Sequence, residues 1–294
     1  MTALELYRSI GARFKNAGID NPAGEAFILL EHFCGFSREK LLIRGDELDV
    51  SQELASKLCA AADRRAENYP LQYIVGHWPF MGLELKVGGG VLIPRDDTEV
   101  LVTAMADWIK KRQSAENMPL RGADLCAGTG AVALALCAGC PNTEIAAVEK
   151  FDAAYEYLSE NISAYPRLAV SPILGDVLSD ELPEKVFGMG LEADFIVSNP
   201  PYIAADELPG LQAEVQKEPK TALDGGSDGL VFYRGILDLW LNHVKKGGAV
   251  AFEIGETQAR AVSDMMAAKG MTDIQVFKDL QGLDRVVMGL KIEN

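Results

Sequence analysis

The sequence is poor in basic residues relative to acidic ones. Its 294 residues include 28 Lys and Arg against 43 Asp and Glu, which gives a formal net charge of -15. Affinity for a nucleic-acid backbone comes mainly from Lys and Arg neutralising phosphates, so a chain this acidic is a poor general ligand for nucleic acid. No Lys/Arg cluster with interleaved aromatic residues is present to offset the balance.

Cysteine and histidine are also scarce. The chain has 5 cysteines and 3 histidines, and an odd number of irregularly spaced cysteines argues against a disulfide framework. Cys137 and Cys140 form a C-x-x-C pair, but zinc needs two further ligands, and the histidines are scattered without motif spacing. We therefore expect reduced cysteines and no metal.

Long apolar runs are missing, and no segment approaches the length of a membrane span. The first ten residues lack the charged-then-apolar pattern of a signal peptide. We expect a soluble cytoplasmic protein with no membrane partner. Because 48% of the residues are hydrophobic, the chain can bury the core of one large or two ordinary domains.

Residues 1 to about 70 form short segments with one apolar stripe each, the pattern of amphipathic helices. Asn21-Pro22, Ser37 and Ser51 stand where such helices begin. No chemical motif occurs here, so residues 1–72 are predicted to be a helical bundle, either structural or a docking module. Alternating residues at 78–80 and 83–87 then predict a β-hairpin linker over 73–95.

The remainder, 96–294, alternates strands with helices from about residue 120, which indicates an α/β domain with a parallel sheet covered on both faces. The last two strands are expected to form an antiparallel pair. The seven predicted strands cover residues 122–125, 144–148, 169–174, 194–197, 249–254, 273–277 and 285–290.

A small-residue loop, 126–130, follows the first of these strands, and small residues let a ligand approach the backbone. The phosphate-binding G-x-G-x-x-G pattern is absent. Asp124 and Glu149 end the first two strands, where they disfavour a pyrophosphate and suit a ligand with an amine and a ribose. These two acids therefore favour S-adenosylmethionine over NAD as the ligand. Asp176, after the third strand, could accept a hydrogen bond from the adenine amino group.

The segment 198–202, Ser-Asn-Pro-Pro-Tyr, follows the fourth strand. Two prolines remove backbone donors and hold Asn199 extended, so the strand ends in a rigid elbow. The Asn199 side-chain oxygen and the Pro200 carbonyl can accept both hydrogens of a planar –NH2 group, while Tyr202 covers it. An Asx-type turn with a buried tyrosine is the structural alternative.

Together these features predict methyl transfer to an –NH2 group. An N6-adenine methyltransferase acting on DNA or RNA would use the same elbow, although net acidity counts against it. A non-catalytic scaffold on a nucleotide-binding fold is the alternative from another class, and it predicts no donor binding.

The whole set of motifs resembles the bacterial peptide chain release factor glutamine N5-methyltransferases. The resemblance rests on the N-terminal helices, Ile-Pro-Arg-Asp-Asp-Thr-Glu at 93–99, the segment 124–130, the elbow at 199–202, Glu218-Pro219 and the closing 284–286. It implies a seven-stranded Rossmann-like class I methyltransferase sheet and S-adenosylmethionine. It also implies a protein substrate, the release factor, whose Gly-Gly-Gln glutamine accepts the methyl group.

Carried over by position, the resemblance places the acceptor glutamine on Asn199, Pro200, Pro201 and Tyr202, with Asn199, Pro200 and Tyr202 as the catalytic set. It places the donor on Asp124, Cys126, Ala127, Gly128, Thr129, Gly130, Glu149, Asp176, Val177 and Asn199. Cys126 stands where relatives often have Gly, Glu149 where they often have Asp, and Val177 where some have an aromatic. We expect donor binding to survive these departures and no general base to be needed.

Overall fold

The computed structural model describes residues 1–116 and 118–292. The chain divides into two compact units. The first, here called the helical unit, contains residues 1–77 and 212–217. The second, here called the sheet unit, contains residues 78–211 and 218–292.

The helical unit contains five α-helices, which confirms the predicted helical N-terminal region: α1 (Ala3–Asn16), α2 (Pro22–Cys34), α3 (Arg38–Arg44), α4 (Gln52–Ala66) and α5 (Leu71–Val75). Asn21, Ser37 and Ser51 cap α2, α3 and α4 with their side-chain oxygens, as predicted. The core of the unit is formed by fully buried apolar side chains, among them Leu6, Ile10, Phe14, Leu29, Leu30 and Leu58.

One ion-pair group is buried in the helical unit. Arg65 is 4% exposed, and its guanidinium contacts Glu25 at 2.5 Å and Glu214 at 2.9 Å. Glu214 belongs to the inserted segment 212–217, so this arginine joins the segment to α2 and α4. Removing one partner of such a group would leave a buried charge uncompensated.

The predicted hairpin is present as a two-stranded sheet of β1 (His77–Phe80) and β2 (Leu83–Lys86). Its turn consists of Met81 and Gly82, which both have positive φ, at 46° and 82°. Two positive φ values match the right-handed twist of the strands on either side of a tight turn.

The main sheet has seven strands in the order β5-β4-β3-β6-β7-β9-β8, which confirms the predicted fold class. Strands β3 to β7 pair in parallel, and β9 pairs antiparallel with both β7 and β8. The strands are β3 (Leu120–Leu125), β4 (Thr143–Glu149), β5 (Val170–Leu174), β6 (Ala193–Ser198), β7 (Val244–Glu253), β8 (Met271–Lys278) and β9 (Asp284–Lys291).

Two buried apolar clusters cover the two faces of this sheet. Phe195 and Val197 of β6 belong to one cluster and Ile196 to the other, so alternate residues of a fully buried strand face opposite layers. The helices of the sheet unit are α6 (Thr98–Glu116), α7 (Ala131–Gly139), α8 (Asp152–Ala164), α9 (Leu182–Phe187), α10 (Val231–Trp240) and α11 (Ala259–Ala268). Helices α8 and α9 were not among the sequence predictions.

The strand order reverses at β3, because the chain runs outward from β3 through β4 to β5 and then returns to β6 on the other side. Ligands of open α/β sheets bind at such a switch point, outside the carboxyl ends of the strands. The loops after β3, β4, β5 and β6 therefore lie where a ligand site is expected.

Candidate active site

A cavity lies at the carboxyl ends of these four strands and opens to solvent. Ten of the predicted site residues line it: Asp124, Cys126, Ala127, Gly128, Thr129, Glu149, Asp176, Val177, Asn199 and Pro201. Gly130, Pro200 and Tyr202 are predicted site residues that do not belong to the lining.

The loop after β3 depends on unusual backbone angles. Cys126, Gly128 and Gly130 all have positive φ, at 64°, 54° and 81°. Gly130 precedes α7, and a Cβ at this position would lie 2.8 Å from Leu158 Cδ1, so no larger residue fits there without a shift. The tight turn brings the loop backbone to the cavity and starts α7 directly behind it.

Glu149 holds this loop through its carboxylate. Its Oε2 accepts from the Gly128 N–H at 3.0 Å, while Oε1 accepts from the N–H groups of Lys150 and Phe151 at 2.8 and 2.9 Å. A carboxylate has about four acceptor positions, so one position on Oε2 is left for a ligand hydroxyl. Glu149 therefore both shapes the loop and keeps an acceptor at the cavity.

Asp124 is 1% exposed, and its Oδ2 accepts from the Ala133 N–H at 3.0 Å. Burial raises its pKa to about 7, and the nearby charge of Glu149 acts in the same direction. Burial and the same acidic neighbours also raise the pKa of the Cys126 thiol. This end of the cavity thus carries an excess of negative charge, which a cationic ligand would relieve.

Both carboxylate oxygens of Asp176 already have partners within the protein. Its Oδ1 accepts from the Leu178 N–H at 3.0 Å, and its Oδ2 lies 2.7 Å from Lys150 Nζ, interactions that hold its pKa below the usual range despite partial burial. Val177 is 3% exposed, and its carbonyl accepts from Trp240 Nε1 at 2.8 Å. The segment after β5 that carries Asp176 and Val177 is therefore anchored by contacts to neighbouring residues.

The elbow at 198–202 is anchored at both ends. The Ser198 hydroxyl donates to the Leu125 carbonyl at 2.5 Å, which joins β6 to the neighbouring β3. Gln258 Nε2 donates to the Tyr202 carbonyl at 2.9 Å. Between them Asn199 Nδ2 donates to Thr98 Oγ1 at 3.2 Å. Within the described residues no donor contacts Asn199 Oδ1, so the acceptor end of this amide is available at the cavity.

Tyr202 lies behind the elbow. Its ring packs against the apolar cluster that includes Tyr233 and Phe252, and its hydroxyl approaches Glu253 Oε1 at 3.5 Å. Glu253 is 1% exposed, and burial raises its pKa to about 7. The positive charge of Arg285 opposes that rise, while the charge of Asp97 adds to it.

The long polar segment after the elbow is tied back to it. Ile203 and Asp224 form an isolated parallel bridge, and the Ala205 N–H donates to the Gly226 carbonyl at 2.9 Å. Glu218 is 4% exposed and pairs with Arg95, while its Oε2 accepts from the Ile93 N–H at 3.0 Å. This polar segment is thus joined to the 93–99 motif, and Arg95 lines the cavity.

Thr98, Glu253 and Gln258 were not predicted as site residues. Thr98 belongs to the 93–99 motif, which carries part of the family resemblance. Glu253 ends an apolar strand in the sequence, as Asp124 and Glu149 do, and that position was the available signal. The Gln258 side chain donates to the backbone carbonyl of Tyr202, and no sequence pattern marks such a contact.

Comparison with known proteins agrees with this geometry. Residues 5–76 match the family described as the PrmC N-terminal domain, and residues 98–232 match the methyltransferase small domain. A release factor glutamine methyltransferase from Moorella thermoacetica is 39% identical over 96% of this chain and 95% of its own length. One from Clostridium botulinum is 36% identical over 94% of this chain and 95% of its own.

The chain belongs to the release factor glutamine methyltransferase family. This membership confirms the predicted enzyme class, an S-adenosylmethionine-dependent methyltransferase. The solved structure of a human methyltransferase 10 domain containing protein has a TM-score of 0.54 at 15% identity, covering 73% of this chain and 90% of that one. That likeness shows the shared fold.

The lining residues fit S-adenosylmethionine. The ligand is cationic at its sulfonium and amine, and Asp124 is a buried carboxyl group that lacks a cationic partner among the described residues. Its ribose hydroxyls match the acceptor position left on Glu149. Among residues 1–116 and 118–292, no group of three or more His, Cys, Asp or Glu is arranged to hold a metal ion. Nor does any helix in these ranges have the length and apolarity needed to span a membrane.

Proposed function

We propose that the protein transfers a methyl group from S-adenosylmethionine to the side-chain amide nitrogen, N5, of the Gly-Gly-Gln glutamine in a peptide chain release factor. The observation that carries the proposal is the Asn199 amide, which lines the cavity and whose Oδ1 has no hydrogen-bond donor within residues 1–116 and 118–292. Membership of the release factor glutamine methyltransferase family supplies the substrate class.

S-adenosylmethionine supplies an electrophilic methyl group when it is bound. On the donor side, Glu149 accepts from ribose hydroxyls, Asp124 offsets the positive charge of the ligand, and Asp176 accepts from the adenine amino group. The backbone of residues 126–130 allows close approach, and Val177 provides an apolar contact. These assignments rest on the shared cavity and on the charges that line it.

On the acceptor side, the elbow holds the glutamine amide by its two N–H groups. Asn199 Oδ1 and the Pro200 carbonyl accept them, and Pro201 and Tyr202 shape the surroundings. An amide nitrogen is a poor nucleophile because its lone pair is shared with the carbonyl. Two acceptors that favour a pyramidal nitrogen over a planar one would stabilise the transition state more than the ground state. Orientation supplies on the order of 7–11 kcal/mol in well-aligned reactions.

The transfer needs no base in contact with the nitrogen. The nitrogen bears a positive charge once it gains the methyl group, and it can then lose its proton to water. Glu253 has a pKa of about 7, but it lies behind the elbow and does not line the cavity. The position of Glu253 therefore suits a supporting role and not direct proton removal from the substrate.

An N6-adenine methyltransferase would use the same elbow, but it is not favoured. The formal net charge of -15 disfavours contacts with phosphates. The curated relatives that cover nearly the whole chain are named for release factor glutamine methylation.

We further propose the division 1–72, 73–95 and 96–294 into a substrate-docking bundle, a hairpin linker and a catalytic domain, in a cytoplasmic enzyme whose protein partner is a release factor. Leu42 and Ile43 on α3 support docking, because they are 72% and 80% exposed although apolar. Exposed apolar side chains on a small bundle suit contact with a protein.

Replacing both exposed residues tests the docking role. The variant Leu42→Ser/Ile43→Ser is expected to raise KM for a whole release factor about tenfold, since it removes two apolar contacts worth roughly 1 kcal/mol or more together. The KM for a short Gly-Gly-Gln peptide should stay unchanged. Steady-state kinetics on both acceptors gives the comparison, with Lys57→Ser at an exposed position of α4 as the control. Equal changes on both acceptors would contradict the docking role.

Product analysis tests the reaction itself. A release factor treated with the protein and S-adenosylmethionine is digested and sequenced by tandem mass spectrometry. We expect one added methyl group on the side-chain nitrogen of the Gly-Gly-Gln glutamine. A methyl group on any other residue would contradict the proposed acceptor.

A further inference from the structure

Arg95 is a cationic side chain at the cavity that has unused hydrogen-bond donors. It lines the cavity, and its side chain is 37% exposed. Within residues 1–116 and 118–292 its guanidinium has one hydrogen-bond partner, Glu218, which is contacted by Nη2. A guanidinium presents five N–H donors in a planar fork, so several of them are left for a ligand.

Glu218 fixes the place of this guanidinium. The Glu218 side chain is fully buried, its Oε1 pairs with Arg95, and its Oε2 accepts from the Ile93 N–H at 3.0 Å. The carboxylate is thus held by the backbone two residues before the arginine with which it pairs. Arg95 is therefore preorganised for a second partner, and preorganisation lowers the cost of binding that partner.

Another arginine of the sheet unit shows the complete form of such a group. Arg285 is largely buried and lies 2.9 Å from Asp279 and 3.3 Å from Asp97, so it pairs with two carboxylates. The buried arginine of the helical unit also pairs with two. Arg95 pairs with one among the described residues, and the rest of its donors belong to the cavity lining.

The strand order places the anionic end of the donor near Arg95. In the proposed function the adenine lies after β5 and the ribose after β4, so the methionine end extends past β3 toward β6. The chain around Arg95 lies at the same two strands. A Cβ on Gly128, in the loop after β3, would lie 3.8 Å from Val91 Cγ2. Thr98 contacts Asn199, which follows β6.

The charges of the lining support the same assignment. Of the described residues that line the cavity, two are basic, Arg95 and Lys150, and Lys150 Nζ lies 2.7 Å from Asp176. The other charged lining residues are Asp124 and Glu149, which repel a carboxylate. The acceptor is a neutral amide, and a donor on its oxygen would draw the nitrogen lone pair further into conjugation. The donor carboxylate is therefore the group that gains from this arginine.

We propose that Arg95, held by Glu218, binds the carboxylate at the methionine end of S-adenosylmethionine. The planar fork of a guanidinium matches the geometry of a carboxylate. The inference rests on the proposed function, which supplies the donor and leaves its carboxylate without a partner. It gives a role to the arginine of the 93–99 motif.

A donor analogue tests the proposal on the whole protein without a release factor. Decarboxylated S-adenosylmethionine lacks only the carboxylate, so it carries one more unit of net positive charge. An acidic cavity without a carboxylate site would bind this analogue more tightly than S-adenosylmethionine. Because Arg95 pairs with the carboxylate, calorimetry should instead give a Kd about tenfold or more lower for S-adenosylmethionine.

Arg95→Gln should remove this preference. Its Kd for S-adenosylmethionine should rise about tenfold or more, whereas its Kd for the decarboxylated analogue should stay within about threefold of the wild-type value. Lys150→Gln is the matched control, because Lys150 is also a basic lining residue but pairs with Asp176. It should change both Kd values by the same factor.

A double variant covers the case in which Arg95→Gln does not fold. That substitution leaves the buried Glu218 carboxylate without its cation, and an uncompensated buried charge is strongly destabilising. Arg95→Gln/Glu218→Gln removes both charges and keeps an acceptor for the Ile93 N–H. The same loss of preference for S-adenosylmethionine is expected.

Three results would overturn the inference. Equal or tighter binding of the decarboxylated analogue by wild type would show that no cation contacts the carboxylate. An equal rise of both Kd values in Arg95→Gln would assign its effect to packing. Unchanged donor affinities with a raised KM for the release factor would place Arg95 against the acceptor. By contrast, a clear preference for S-adenosylmethionine with no methyl transfer to release factors would refute the proposed function and leave the inference standing.

Discussion

The two sides of the cavity each have a buried carboxyl group with a raised pKa, but they use it differently. On the donor side Asp124 lines the cavity, next to Glu149. On the acceptor side Glu253 lies behind the elbow, and the lining consists of the uncharged Asn199 and Pro201. A cationic ligand gains from a carboxylate in direct contact.

A neutral amide gains from acceptors that do not compete for its proton before transfer. On the acceptor side the buried carboxyl group therefore lies one layer behind the residues that line the cavity. We therefore expect substitutions on the donor side to change donor affinity, and substitutions on the acceptor side to change turnover.

The largest effect is expected at the elbow. Asn199→Ala should lower kcat by about a hundred- to a thousandfold, the loss seen when a group that stabilises a transition state is removed. Donor affinity should stay within about threefold, because the donor-side carboxylates are untouched. Single-turnover rates and calorimetry on the same preparation give both values. Near-normal turnover would remove the elbow from the mechanism.

Glu149→Gln should show the opposite pattern. It weakens acceptance from ribose hydroxyls and loosens the loop at Gly128, so donor Kd should rise about tenfold or more. Turnover at saturating donor should change little. Glu144→Gln is the control, because Glu144 lies on the same strand with an exposed side chain paired to Arg121. Equal donor affinity in the two variants would contradict the role of Glu149.

A smaller effect is expected from pH. The pKa of Asp124 is about 7 without ligand, so Asp124 is mostly neutral below that value and ionised above it. A cationic donor prefers the ionised form, so donor affinity should rise several-fold as pH increases through about 7 and then level off. Asp124→Asn keeps an acceptor for the Ala133 N–H and should abolish the dependence. Calorimetry across this range would contradict the account if affinity fell or stayed constant in wild type.

The smallest effect is expected at Cys126. Its φ of 64° is costly for any residue with a Cβ, so Cys126→Gly should relieve about 1 kcal/mol of backbone strain while adding unfolded-state entropy of similar size. Donor affinity should change less than about threefold, since Glu149 still holds the loop. Thermal unfolding and donor titration check both. A large loss of affinity would show that the thiol itself contacts the donor.

Much of the fold and of the two sides of the site was predictable from the sequence, because the signals are local. Asn21, Ser37 and Ser51 mark helix starts by their own side chains, and the elbow follows from two adjacent prolines. Asp124 and Glu149 end predicted strands that meet at one edge of a parallel sheet. Each of these predictions uses neighbours within a few positions.

What was missed depends on contacts between distant parts of the chain. Thr98 and Asn199 are 101 residues apart, and Tyr202 and Glu253 are 51 apart, so only the folded sheet brings them together. Helix α8 was missed for a different reason. Its N-cap, Phe151, makes no side-chain cap bond, so the usual start signal is absent.

The identity of the acceptor is tested most directly by labelled methyl transfer. Radiolabelled S-adenosylmethionine is incubated with the protein and one of three acceptors. These are a purified wild-type release factor, the same factor with its Gly-Gly-Gln glutamine replaced by Ala, and duplex DNA. We expect label on the wild-type release factor alone. Label on the Ala variant or on the DNA, with none specific to the glutamine, would contradict it.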